Sequence, residues 1–157
     1  MRPPEHGGGR ETEGFPGTPG CRISPTSVPQ KPIELILMRQ LATTLAMPIF
    51  LVDPAGTLIF YNPAAERVLG LRFDETGEMP LDEWSRRWCP TGDAGEVLSP
   101  ERLPLSIAIV ERRGAHGSFW IAALDGVRRR IEVTAFPLIA VPDEIVSAAA
   151  IFWEAAG

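Results

Sequence analysis

The chain has 157 residues, near the roughly 100 to 150 typical of one domain, so a single core is expected. Hydrophobic residues make up 45% and charged residues 22%, which excludes a wholly disordered chain. A net charge of −5 supplies no positive field to attract phosphate backbones or anionic lipid, so neither nucleic acid nor a membrane surface is expected as a partner.

Residues 1–31 are rich in Pro and Gly, with only scattered apolar positions such as Phe15, Ile23 and Val28. So few cannot offset chain entropy, and this stretch is expected to be a disordered leader to a domain spanning 32–157. Gly7-Gly8-Gly9 lacks the strand, helix and Gly-Lys-Ser or Gly-Lys-Thr that a phosphate loop needs. Cys21 and Cys89 stand far apart, one of them in the leader, so no structural disulfide is expected. With no apolar run near the roughly 20 residues of a membrane span and no export signal, a reducing cytoplasm is the expected location.

From Pro32 to Ala46, Ile33, Leu37, Leu41 and Leu45 recur every four residues, while Glu34, Arg39, Gln40 and Thr43 occupy other positions. This predicts an amphipathic helix with proline at its start. Met47–Val52 and Thr57–Tyr61 are short apolar runs around the turn Asp53-Pro54-Ala55-Gly56, which predicts a hairpin. Asn62-Pro63 then supplies a cap and first-turn proline for a helix through Leu69, with Gly70 as its stop. Leu81–Trp88 reads as a short helix carrying Trp84 and Trp88 at i and i+4, and Pro90–Pro100 reads as loop. Pro104–Arg112 predicts another helix. Ser118–Leu124, Arg128–Leu138 and Ile145–Trp153 predict three strands, separated by Asp125-Gly126 and Pro142-Asp143.

With that order of elements, Pro32–Glu154 resembles a PAS domain. The matching pieces are Ile49-Phe50-Leu51-Val52-Asp53 with Gly56, Ile59-Phe60-Tyr61-Asn62-Pro63-Ala64-Ala65-Glu66, and Leu69-Gly70. Leu103-Pro104, Asp125-Gly126, Arg130-Ile131-Glu132-Val133, Pro137-Leu138 and the final apolar strand continue the pattern. The resemblance implies an α+β fold: a five-stranded antiparallel sheet in order 2-1-5-4-3, with short helices over one face enclosing a pocket. It also implies a role in sensing or protein contact rather than catalysis.

Aligned to that pattern, strand alternation turns Phe50, Val52, Ile59, Tyr61, Phe119 and Ile121 toward the helices. Ile131, Val133, Ala135, Ala148, Ala150 and Phe152 join them as candidate pocket residues, with the Tyr61 phenol as the clearest polar handle. Ile49, Leu51, Trp120, Phe136, Ala149, Ile151 and Trp153 point to the opposite face. The N-terminal helix, through Ile33, Leu37, Leu41 and Leu45, is expected to cover that face. Surplus apolar surface near Trp153 would serve a homodimer or a separate signalling protein.

Light-sensing flavin members of the family carry Asn-Cys-Arg-Phe-Leu-Gln where this chain reads Glu83-Trp84-Ser85-Arg86-Arg87-Trp88-Cys89, so a covalent flavin adduct is not expected. Haem is not expected either, because Pro104–Arg112 contains no His and His116 lies beyond it. A non-covalently bound flavin or a small organic ligand stays open. The four Cys and His residues have no metal-ligand spacing, and His116, Ser118 and Asp125 lack the nucleophile elbow of a hydrolase. Arg128-Arg129-Arg130 alternates across a strand and reads as a solvated strand entrance, while Trp84 and Trp88 read as a core plug rather than a ligand stack. After Trp153-Glu154 too little chain remains for an attached output domain, so a signal is expected to leave by contact with another protein. Two readings follow: a small-molecule-sensing PAS domain, or an interaction module of the same fold with a side-chain-filled interior.

Overall fold

Runs of β-branched and aromatic residues form five strands in the computed structural model, which describes residues 32–156. The leader expected to be disordered, residues 1–31, lies outside the described residues. The strands are β1 (Ile49–Val52), β2 (Leu58–Tyr61), β3 (Ala115–Ala122), β4 (Arg128–Ala140) and β5 (Glu144–Glu154). They pair antiparallel in the order β2-β1-β5-β4-β3, as expected. Five helices accompany them: α1 (Ile33–Thr44), α2 (Pro63–Leu69), α3 (Phe73–Thr76), α4 (Leu81–Trp88) and α5 (Pro104–Val110). The single turn of α3 and a 3-10 turn at Pro100–Arg102 are additions to the sequence reading. No helix of the described residues is long and apolar enough to cross a membrane.

β1 and the middle of β5 are apolar on both faces because both faces are covered there, whereas β4 carries Arg130, Glu132 and Thr134 on its outer side. Side chains from α2, α4 and α5 close the inner face over Phe50, Val52, Val133, Ala150 and Phe152. The outer face is covered by α1, with Leu35 and Ala42 packed on Ile49, Leu51, Ile59 and Ala149.

Two expectations about facing are corrected here. The β1–β2 register runs Phe50↔Tyr61, Leu51↔Phe60, Val52↔Leu58, so β2 carries one extra residue, Ile59. That bulge turns Ile59 and Phe60 both outward and gives the inner position to Leu58. Ile59, expected in the pocket, therefore belongs to the outer cluster. The carbonyl of the bulged residue accepts a hydrogen bond from the Arg39 guanidinium, which also lies over the Phe60 ring with 5.4 Å to the centroid.

The second correction concerns the rotation of α1. The helix does lie on the outer face, but Leu35, Met38 and Ala42 make the contact. Ile33, Leu37, Leu41 and Leu45, the stripe expected to bury itself, are exposed. At 3.6 residues per turn the two stripes lie nearly half a turn apart, so α1 is apolar on two sides. Ala42 allows close approach to the sheet, Arg39 binds the Ile59 carbonyl, and the Ala42 carbonyl is held by Asn62. Those polar anchors fix the rotation that apolar periodicity leaves undecided.

Asn62 caps α2 as expected, its Oδ1 accepting from the Ala65 amide at 3.0 Å. Its role is larger than a cap. The same oxygen accepts from the Ile49 amide at 3.0 Å, and Nδ2 donates to the carbonyls of Ala42 (2.8 Å), Met47 (2.8 Å) and Leu45 (3.3 Å). The side chain is fully buried and joins the end of α1, the start of β1 and the start of α2. At the other end of α2, Gly70 adopts φ +80, and a Cβ there would meet the Asp125 amide nitrogen at 2.6 Å. Glycine thus both ends the helix and admits the β3–β4 turn, whose Leu124 amide donates to the Leu69 carbonyl at 3.0 Å.

Replacing Asn62 by Ala removes a cap worth about 1 kcal/mol and leaves buried carbonyls unpaired, at about 1 to 3 kcal/mol more. Asn62→Ala is expected to lose about 2 to 4 kcal/mol in chemical denaturation. A loss no greater than that of an exposed cap would show that the other four bonds contribute nothing.

Candidate functional site

The space between sheet and helices is occupied chiefly by aromatic rings. Trp84 and Trp88, one turn apart on α4, both enter it and are buried. Their indole nitrogens are satisfied inside the protein, Trp84 donating to the Gly56 carbonyl at 3.0 Å and Trp88 to the Leu69 carbonyl at 3.1 Å. Phe50 on β1 meets both edge-on, at ring separations of 5.3 and 5.9 Å. Tyr61 meets Trp88 at 6.1 Å and Phe73 at 5.2 Å, again edge-on.

Of the candidate pocket residues, all except Ile59 lie in this inner cluster: Phe50, Val52, Tyr61, Phe119, Ile121, Ile131, Val133, Ala135, Ala148, Ala150 and Phe152. Strand alternation could not reveal Leu58, which the bulge turns inward, nor what the helices and their connections add, namely Val68, Leu69, Met79, Leu103 and Leu105 along with the two tryptophans. The i, i+4 spacing of Trp84 and Trp88 was the one sequence signal for that half.

The room left over is small. A cavity of about 60 Å³ is lined by Phe50, Leu69, Trp84, Trp88, Leu105, Phe119, Ile131, Val133, Ala150 and Phe152. Small-molecule sites usually span about 300 to 1,000 Å³, and an apolar cavity of about 150 Å³ is what admits benzene. A flavin needs far more volume and polar partners for its ring edge, and this lining offers neither, so the residues present do not fit one. Nor do they fit a haem: no histidine lines the cavity, and His116 stands on the outer side of β3, its Nδ1 3.0 Å from the Thr134 hydroxyl. Cys89, just after α4, is also absent from the lining.

Tyr61 does not serve as a handle for a ligand. Its hydroxyl donates to the Leu71 carbonyl at 3.1 Å and lies 3.0 Å from the Thr76 hydroxyl, and the residue does not line the cavity. Burial raises its pKa above the ordinary tyrosine value, opposed by the Thr76 hydrogen bond.

At one end of the sheet the three arginines of β4 have separate partners. Arg129 pairs with Asp125 (2.6 Å) and Glu154 (2.7 Å), and this guanidinium holds the Asp125 carboxyl down at about 2. Arg130 reaches Asp93 at 3.4 Å, and Arg128 stacks over Trp120 with 4.9 Å to the ring centroid. Asp125 is thus committed to an ion pair and does not orient His116. Among the described residues, no three His, Cys, Asp or Glu side chains gather in a metal-holding group.

Residues 37–102 match the model of a family described as PAS domain. The sheet order and helix placement agree with solved structures of that fold. The described unit has the fold of a PAS domain. It is similar to the PAS domain of a protein from Colwellia psychrerythraea, with 17% identity, a TM-score of 0.57, and coverage of 77% of this chain and 96% of that one. It is also similar to the Rhodobacter sphaeroides LOV protein (14% identity, TM-score 0.62, 79% and 68% covered). A third is the PAS domain of nitrogen regulation protein NR(II) from Vibrio parahaemolyticus (14%, TM-score 0.53, 76% and 98%). At these identities the likeness is one of fold. No curated protein matches the sequence.

Two measurements check this interior. Trp88→Ala in the PAS domain is expected to cost about 3 to 5 kcal/mol and to create binding of benzene that the parent lacks; a variant as stable as the parent would place Trp88 outside the core. Tyr61 is the only tyrosine of the chain, so phenolate absorbance reports it alone. Because its folded pKa is raised, stability is complete below the ordinary tyrosine value of about 10 and declines as pH rises toward the folded one. Native protein should therefore titrate above denatured protein, and coincident curves would mean that Tyr61 is exposed.

Proposed function

We propose that this PAS domain is a signalling interaction module whose interior is filled by its own side chains and whose output is contact with another protein. The observation that carries this reading is the aromatic plug: Trp84, Trp88, Phe50 and Phe119 leave about 60 Å³, all of it lined by apolar residues. A ligand recognised by hydrogen bonds would find no partner there, since the indole and phenol groups already bond to backbone carbonyls.

The outside of the domain offers more for recognition. Trp153 is exposed on the outer sheet face, Trp120 is half-buried beneath Arg128, and α1 turns a row of large aliphatic side chains to solvent. Aromatic and arginine side chains of this kind commonly anchor protein interfaces. The small cavity favours one narrower form of sensing, in which the ligand is an apolar molecule of only a few heavy atoms.

Absorbance of the purified protein, with mass spectrometry of whatever denaturation releases, tests the proposal. No stoichiometric flavin, haem or organic molecule is expected. Recovery of one at a molar ratio near unity would overturn the filled-interior reading, and xenon-dependent chemical shifts confined to the cavity-lining residues would favour the few-atom ligand.

A further inference from the structure

Each edge of the sheet is bridged by one further residue. Met79 exchanges two backbone hydrogen bonds with Leu58 of β2, at 2.7 and 3.1 Å, and Thr91 exchanges two with Trp120 of β3, at 2.9 and 2.8 Å. β2 has four residues, so one bridge covers much of it, whereas β3 has eight and its N-terminal half extends past Thr91. On an antiparallel strand both main-chain groups of a residue point the same way, and the direction alternates along the chain. Trp120 turns its pair outward to Thr91, so His116 and Ser118 turn theirs outward too, while Gly117 and Phe119 bond to β4. Among the described residues nothing pairs with the outward groups of His116 and Ser118.

Sheet edges are commonly guarded by Lys, Pro, inward-pointing charges or a bulge. Ala115–Ala122 contains no Lys, Arg, Asp, Glu or Pro, and it pairs with β4 throughout its length without a bulge. The open stretch lies along a groove of about 500 Å³, whose remaining lining comes from the 92–98 loop, Arg102 and Pro104.

We infer that this edge takes an extended peptide segment of a partner protein, which adds to β3 beside Ala115–Ser118 as a further strand of the sheet. The inference rests on the interaction reading above and names the kind of partner.

Thr91 already occupies the added-strand position for one residue, and the chain leaves it at Gly92, whose amide turns back to the Glu96 carbonyl at 2.9 Å. A peptide continues that line. Its main chain supplies the amides and carbonyls that His116 and Ser118 lack, and its side chains alternate between the two faces. Those on the inner side meet Leu98, Pro104 and Phe119, which favours an aliphatic or aromatic residue there. Charge selects little. Asp93 is held by Trp120 and Arg130, and Glu96 and Arg102 contribute one charge of each sign to the lining, so backbone pairing carries the affinity. A second copy of the chain fits this edge poorly. In a β3-to-β3 pair centred on the open stretch, each strand has to run through the position beside Trp120 that Thr91 fills on the other copy, whereas a short peptide ends before it.

Selection of random heptapeptides displayed on phage against the full-length chain, followed by NMR titration with the enriched peptides, tests this. The His116 and Ser118 amide shifts should saturate with peptide, and their hydrogen exchange should slow. N-methylation of the peptide should weaken binding by about tenfold or more at every second residue, where the amide faces β3, and little at the residues between. Ser118→Pro removes an outward amide without touching the β3–β4 ladder, so it should weaken binding similarly while keeping a denaturation midpoint near the parent's. The N-methyl scan reads the parent protein and does not depend on that variant folding. A selection that enriches no peptide, shifts confined to another face, or a scan without the period of two would each overturn the inference. So would slow exchange at His116 and Ser118 that grows with protein concentration alone, which would give the edge to a second copy. The peptide edge and the filled interior fail separately: a stoichiometric cofactor with the peptide result intact would overturn the latter alone, and a failed selection on a cofactor-free chain the former alone.

Discussion

The side-chain amide of Asn62 sets the relation among three elements, α1, β1 and α2. Its oxygen accepts from the first amide of β1 and from the N-terminal turn of α2, while its nitrogen donates to carbonyls at the end of α1 and in the link that follows. A buried carboxamide has few alternative partners, so each bond restricts the others. Once it is in place, α1 leaves the sheet at a fixed angle, β1 starts at Ile49, and the chain turns directly into α2. The outer cover and inner cover of the sheet are thereby tied to one point.

Around that point the two faces of the sheet solve different problems. Inside, four short helices cannot bury much surface individually, and large rings on α4 span the distance to β1 and β2. Edge-to-face geometry among Phe50, Trp84, Trp88 and Tyr61 lets these rings fill the volume while their polar atoms reach carbonyls at the margins. Outside, a single helix covers only part of the sheet. Ala42 and Ala149, both fully buried, allow close approach there, and the bulge at Ile59 supplies the carbonyl that Arg39 needs.

This division bears on how the domain communicates. A filled interior resists deformation, because close-packed rings have few other arrangements of similar energy. Surface contacts are under no such restriction, and the exposed row on α1 is linked through Asn62 to the start of β1.

Local physical chemistry settled much of this fold before any tertiary contact was considered. The cap, proline and glycine around α2, the Asp53–Gly56 turn, the alternation in β3, β4 and β5, and the Trp84–Trp88 spacing each act within a few residues, and each appears where the sequence places it. The inner positions of four strands followed from alternation once the resemblance to the PAS pattern said which face meets the helices, because a period of two leaves only two choices. What required the folded chain was every choice between local arrangements of nearly equal cost. Ile59 or Leu58 could have faced inward until the bulge decided it, and α1 could have buried either of its apolar stripes. In both cases the deciding groups, Arg39 on the Ile59 carbonyl and Asn62 on the Ala42 carbonyl, are each 20 residues from their partners, a separation at which hydrophobic period carries no information. The size of the cavity was decided in the same way, since it depends on how rings from α4 meet rings from a sheet assembled from distant parts of the chain.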